Sequence, residues 1–196
     1  MTVQGGQADG DPPMSRKERL RRVVILCTLF TRNLAYYQVG SAPEYQHLYD
    51  RNCSANFWIT ASNNSIDVCV QEWYKLFADK NGKHHWRQIV TDPAAFEAAL
   101  LSHLGLDETE FQKEIDALLR YRDKFLAHLD SDRKMNIPRM DIAKKAVWFY
   151  HAHIVKQEAQ PGDLEFPSQL ATELDSGYAQ SKAEITTVLK AASSRP

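Results

Sequence analysis

The stretch DETEFQKEIDALLRYRDKFLAHL, residues 107–129, decides the fold class. Asp107 followed by Glu110 reads as a helix N-cap with its capping-box acid, each side chain taking a backbone N–H that the first turn leaves open. Phe111, Ile115, Leu118, Leu119, Phe125, Leu126 and Leu129 then recur so that, at about 100° per residue, all lie within roughly 60° of one direction. This spacing predicts a helix from Asp107 to about Leu129 with one face in a core.

The same punctuation organises the rest of the chain. Ser15 is an N-cap for a helix through about Tyr37, in which Leu20, Val23, Val24, Cys27, Phe30 and Leu34 recur at helical spacing. Pro43 opens a further helical pattern that runs to Phe77 with a polar interruption at Ser62–Ser65, as one long helix or two. Asn81-Gly82 marks a loop over Asp79–Arg87. Thr91 or Asp92 caps a helix that begins at Pro93 and closes before Gly105. Pro138 leads into a helix from near Met140 to about Gln157, and after Pro161-Gly162 and Pro167 a last helix is predicted over Ser168–Ala191. No alternating strand pattern and no repeat is visible. The expected fold is all-α, an antiparallel bundle of four core helices with one or two accessory ones. The expected division is a tail at 1–14, the bundle at 15–157, an accessory C-terminal segment and helix at 158–191, and a tail at 192–196.

Composition narrows the function classes. The 196 residues suit one domain, 43% of them are hydrophobic, and the net charge of -1 provides no global field toward nucleic acid or a membrane. Charge is nevertheless uneven. From Arg120 to Lys145 eight basic residues face four acidic ones, whereas from Glu158 onward six acids outnumber three bases. An anionic partner is therefore expected at the middle of the chain, with the acidic last helix a possible cover for it. Cys27, Cys53 and Cys69 are odd in number, lack C-x-x-C spacing and sit among apolar residues, which suggests a reducing compartment. The apolar run near Val23–Cys27 is far shorter than the roughly 20 residues a membrane helix needs. A soluble, cytoplasmic protein without a signal peptide is the expectation.

One residue breaks the pattern of the deciding helix. Arg122 points along the middle of the apolar stripe, with Leu118, Leu119, Phe125 and Leu126 as its neighbours three and four positions away. A buried guanidinium without partners costs several kcal/mol, so Arg122 has to meet a carboxylate, a wet cleft or a second subunit. His128 follows about 9 Å further along the axis and rotated by about 120°, in the last turn, where the helix dipole and Asp130 favour the imidazolium. Read bare, the pair is equally a structural Arg bound to an acid of another helix and a histidine cap.

The run Arg122-Asp123-Lys124-Phe125-Leu126-Ala127-His128 resembles the signature of the HEPN superfamily, an Arg followed by a polar residue and then a His after four to six intervening positions. Glu72-Trp73-Tyr74-Lys75-Leu76-Phe77, with His85-Trp86 after it, is similar to the abortive-infection-associated branch of that superfamily. The resemblance spans Arg16 to Gln157. It implies a metal-independent endoribonuclease, a toxin or antiviral-defence effector, whose site is assembled from two subunits of a homodimer and needs no cofactor. His128 would transfer protons, Arg122 would clamp the phosphate, and Asp123 would orient or tune one of them, while the RNA's own 2′-hydroxyl attacks to leave a 2′,3′-cyclic phosphate. Arg120, Tyr121 and Lys124 are the nearest candidates for holding RNA, although each also fits a solvated helix face. An antitoxin partner is conceivable in such a system.

Other candidates are weaker. Lys83-His84-His85-Trp86-Arg87 lacks a complete ligand set for a metal and is better read as a loop anchored by Trp86. His151 and His153 diverge by about 200° and do not form a ligand pair. Trp58, Trp73, Trp148 and Phe149 read as core packing, and the basic start of the first helix as a solvated face. Two competitors to a nuclease remain. One is a non-catalytic helical module that binds RNA or a protein and uses Arg122 and His128 to dimerise. The other is a plain helical adaptor whose Arg122 is neutralised within the chain.

Overall fold

The computed structural model describes residues 14–46, 55–127, 137–163 and 169–193. The expectations for the two tails, apart from residues 14, 192 and 193, and those for Cys53, His128 and Leu129 fall outside these residues. Every regular element described is helical, so the fold is all-α. The elements are α1 (Arg16–Gly40), α2 (Pro43–Gln46), α3 (Ala55–Trp73), α4 (Trp86–Ile89), α5 (Pro93–Leu104), α6 (Glu108–Tyr121), α7 (Asp141–His153) and α8 (Leu170–Ser193). Three of them wind directly into a π-helical turn: α3 into Tyr74–Ala78, α6 into Arg122–Ala127 and α7 into Ile154–Glu158.

The caps foreseen in the sequence are formed. Ser15 and Glu18 close a capping box on α1, and Asp107 and Glu110 close another on α6. Asp92, rather than Thr91, caps α5 by accepting from Ala95 N–H, and Gly105 ends that helix in the left-handed region at φ 67°. After Pro43 the described residues contain α2 and α3, and the stretch between them, 47–54, lies outside the described residues. Ser62–Ser65 does not interrupt α3, because Ser65 bonds back to the Ala61 carbonyl and Ser62 lies against Gly40. These polar residues mark a close helix contact, not a break.

α1 is the hub. Leu20, Val23, Val24, Cys27, Phe30, Leu34, Ala35 and Val39 are all buried, and they point to more than one side of the helix. α3 packs antiparallel along one side, with the Cys69 thiol 3.3 Å from the Phe30 carbonyl and Ser62 facing Gly40. α7 runs antiparallel along another, where Trp148 Nε1 donates to Thr31 Oγ1 at 3.3 Å. α8 lies on a third, tied by Arg32–Glu173 and brought close at Gly177. α6 packs on the end of α3, with Phe111 edge-on to Phe77, and α5 packs on α7 through Phe96, which touches Phe149, Tyr150 and His153. Among the described residues the acidic last helix rests on α1, with Gly177 against Ala35, and not on the basic middle of the chain. Cys27 and Cys69 lie in the core, where burial pushes both thiols up and away from thiolate chemistry.

The 79–85 loop is anchored by two aromatic rings. Trp86 is buried, as expected, and so is His85. His85 caps α4 by accepting the Arg87 backbone N–H at Nδ1, and its Nε2 donates to the Phe77 carbonyl at 3.0 Å, which requires the neutral imidazole. Burial, followed by Arg87 and Lys80, holds its pKa below the ordinary value. Unfolding thus takes up a proton once the pH drops below about 6.5. Thermal stability is expected to fall as pH is lowered from 7 to 5, and His85→Asn, which keeps the cap acceptor, should flatten that slope in melting curves. Gly177 generates a second expectation, since a Cβ there would sit 3.1 Å from Ala35 Cβ. Gly177→Leu should cost about 1–3 kcal/mol in urea denaturation by prising α8 from α1.

Candidate functional site

Arg122 stands where α6 gives way to its π turn, and it leaves the apolar stripe sideways. Its guanidinium carbon lies 3.9 Å from the centre of the Tyr74 ring, and NH1 donates to Asp123 Oδ1 at 2.9 Å. Its side chain is 27% exposed, so the charge sits at the edge of the core with one edge in water. Stacking on an aromatic face and an adjacent carboxylate together meet the cost of partial burial. The buried Nε has no hydrogen-bond partner among the described residues.

Tyr74 faces α6 because α3 carries on past Trp73 in a wider π turn, which advances each residue by less than an α-helical step. The same widening occurs in the helix that presents Arg122. Since α7 also ends in this way, the π form is not by itself a functional mark here.

The other candidates separate. Asp123 is exposed and meets Arg122 directly. Arg120 is exposed, one residue before the junction, and Lys124 is half-buried in the π turn. Tyr121 does not lie on a solvated helix face: only 3% of it is exposed, and its hydroxyl donates to Asp67 Oδ1 at 2.8 Å, so it packs as a core residue. It packs inward because the stripe bends toward α3, following Phe111, Ile115 and Leu118. Burial raises the Asp67 carboxyl pKa against the Tyr121 bond, which lowers it. His128 lies outside the described residues, and the side chains of Phe125 and Leu126 do too.

Two residues of this neighbourhood, Tyr74 and Asp67, were not assigned a role from sequence. Tyr74 lies in the quoted Glu72–Phe77 segment, but no spacing along the chain pairs it with Arg122. Elsewhere, Glu158 gathers the densest polar network. It accepts from Thr91 N–H at 2.8 Å, Thr91 Oγ1 at 2.7 Å and His153 Nε2 at 3.2 Å, and it also pairs with Arg16. Burial pushes this carboxyl up, but the Thr91, His153 and Arg16 contacts outweigh it and hold the pKa low. With both oxygens engaged between three elements, Glu158 is a clasp and not a reacting group. His153 is bound to Glu158, while His151 is buried. Trp73 is buried and Trp148 and Phe149 pack against the core; the Trp58 side chain lies outside the description.

Among the described residues no group of three or more His, Cys, Asp and Glu is arranged to hold a metal ion, and no helix is long and apolar enough to cross a membrane. No family model, curated protein or solved structure matches the chain.

The Tyr121–Asp67 bond generates a measurable consequence. Tyr121→Phe should cost about 1–3 kcal/mol by leaving a partly buried carboxyl without its donor. The raised Asp67 pKa makes the ionised form the disfavoured one, so the loss should be larger at pH 7 than at pH 4 in paired urea titrations.

Proposed function

We propose that the chain is a HEPN-type, metal-independent endoribonuclease that acts as a toxin or antiviral-defence effector. The observation that carries this reading is the presentation of Arg122, the first residue of the R-D-x4-H run. Its guanidinium is held over the Tyr74 ring at 3.9 Å, oriented by Asp123 at 2.9 Å, and its side chain is 27% exposed. A planar fork fixed in direction before the ligand arrives is what recognition of two phosphate oxygens requires, and it reduces the ordering lost at the moment of reaction. His128, six residues on, would take the proton from the 2′-hydroxyl or give one to the leaving 5′-oxygen. The nucleophile belongs to the RNA, so Arg122, Asp123 and His128 would need only to align, neutralise and exchange protons. Tyr74 enters as a positioning residue that the motif alone does not include. The reading further holds that the working unit is a homodimer.

The intrachain Asp123 partner also favours a second reading, the helical adaptor in which Arg122 is merely neutralised in place. The two separate on one assay. Purified protein incubated with RNA in EDTA should leave 2′,3′-cyclic phosphate ends. Arg122→Ala and His128→Ala should each lower the cleavage rate roughly a hundredfold or more while leaving the melting temperature nearly unchanged. Tyr74→Leu should reduce the rate less, through a weaker grip on the phosphate. Intact RNA with wild-type protein, or equal cutting by all variants, would leave the adaptor reading in possession.

A further inference from the structure

Two basic features that lie far apart in the sequence meet in the fold. The antiparallel register of α1 and α3, set by Gly40 against Ser62 and Phe30 against Cys69, places the start of α1 beside the end of α3 and the 79–85 loop. Arg22 thereby comes within electrostatic reach of His84, as do Lys75 and Lys83, and Arg19 lies one turn before Arg22 on α1. The π turn Tyr74–Ala78 has different neighbours for consecutive residues: Tyr74 carries Arg122, and Lys75 belongs to this second cluster.

The polar inventory of the cluster is unbalanced. Glu72, buried, is already taken by Lys75, whose Nζ lies 3.0 Å from both carboxylate oxygens. Glu18 is held at the Ser15 cap, with one oxygen 2.8 Å from both Ser15 N and Oγ, and its charge also acts on Arg22. The loop is pinned from below by the Tyr150 hydroxyl, which donates to the His84 carbonyl at 3.4 Å. Against these stand Arg19, Arg22, Lys75 and Lys83. Two buried nitrogens, Arg19 Nε and His84 Nε2, have no hydrogen-bond partner among the described residues. Buried polar atoms of that kind are uncommon, and each carries a desolvation cost until a partner arrives.

We infer that Arg19, Arg22, Lys75, Lys83 and His84 form a phosphate-binding site, separate from Arg122, that takes the phosphate group of a nucleic acid strand. A tetrahedral oxyanion supplies acceptors to the unpartnered nitrogens and a charge opposite to the surrounding cations. The surroundings favour a nucleic acid over a lipid headgroup, because among the described residues the exposed large apolar side chains, Phe57 and Ile59, sit at the opposite end of α3. The state of His84 fits as well. Burial lowers its pKa, and Arg22, Lys75 and Lys83 lower it further, so a bound anion should raise it. The site stands independently of whether the chain cuts RNA.

The test uses the full chain and needs no cleavage. Inorganic phosphate should raise the melting temperature above that in chloride of equal ionic strength and move the His84 imidazole titration, followed by NMR, to higher pH. Arg22 and Lys83 are exposed, so the double variant Arg22→Gln with Lys83→Gln should fold normally and bind phosphate at least tenfold more weakly. A 2′-O-methyl oligonucleotide, which has no attacking hydroxyl, is then compared with and without a 5′-phosphate. Tighter binding of the phosphorylated strand, lost in the double variant, identifies a terminal phosphate as the ligand; equal binding of both strands, likewise lost, identifies an internal phosphodiester. Phosphate that stabilises no more than chloride and leaves His84 unmoved, or oligonucleotide binding unchanged in the double variant, overturns the inference.

Discussion

A 25-residue helix with apolar side chains on several sides must be wrapped, and the rest of the molecule answers to that requirement. Leu20, Val24, Phe30, Leu34 and Ala35 of α1 cannot all be buried by one neighbour, so α3, α7 and α8 each take a side. Burial of such side chains contributes about 1.5–3 kcal/mol each, which makes this wrapping the dominant favourable term. The polar groups at its seams follow. Thr31 receives the Trp148 indole, Gly40 admits Ser62, Gly177 admits Ala35, and Glu158 clasps Arg16 at the helix start.

The junction of α3 and α6 is a consequence of the same wrapping. Once α3 is set antiparallel on α1, its end projects as a π turn, and α6 has only that turn and the last part of α3 to pack on. Phe111 against Phe77 and Tyr121 against Asp67 are two steps of one antiparallel contact, and Arg122 reaches back along it to Tyr74. Arg122 is thus placed by the hydrophobic steps before it. Its own interactions orient the guanidinium but do not hold the helix there.

The cations of this chain follow two different logics. Arg16 is neutralised completely, by a buried carboxylate that serves three elements. Arg122 is stacked and only half-answered, by an exposed carboxylate, and the Arg19–Lys83 group has one committed acid near its centre. A protein field that leaves cations short of partners at the surface favours anions there, even when the net charge of the chain is close to zero.

The helices were legible in the sequence because their signals are local. Ser15 with Glu18, Asp92 before Pro93, Gly105, and Asp107 with Glu110 each satisfy backbone groups within four residues, so a one-dimensional reading locates them well. The all-α class follows from the same local periodicity, and the conflict at Arg122 was visible as a charge on an apolar stripe. What the sequence could not determine depends on partners far along the chain. Tyr121 looked available until Asp67, 54 residues away, claimed its hydroxyl, and Tyr74 had no assigned role until the π turns brought it under Arg122. Charge alone suits the acidic last helix to the basic middle, yet among the described residues it packs on α1, with Gly177 close against Ala35. Long-range electrostatic attraction is screened by solvent, whereas the fit of small residues between helices is not, and only the tertiary structure contains that fit.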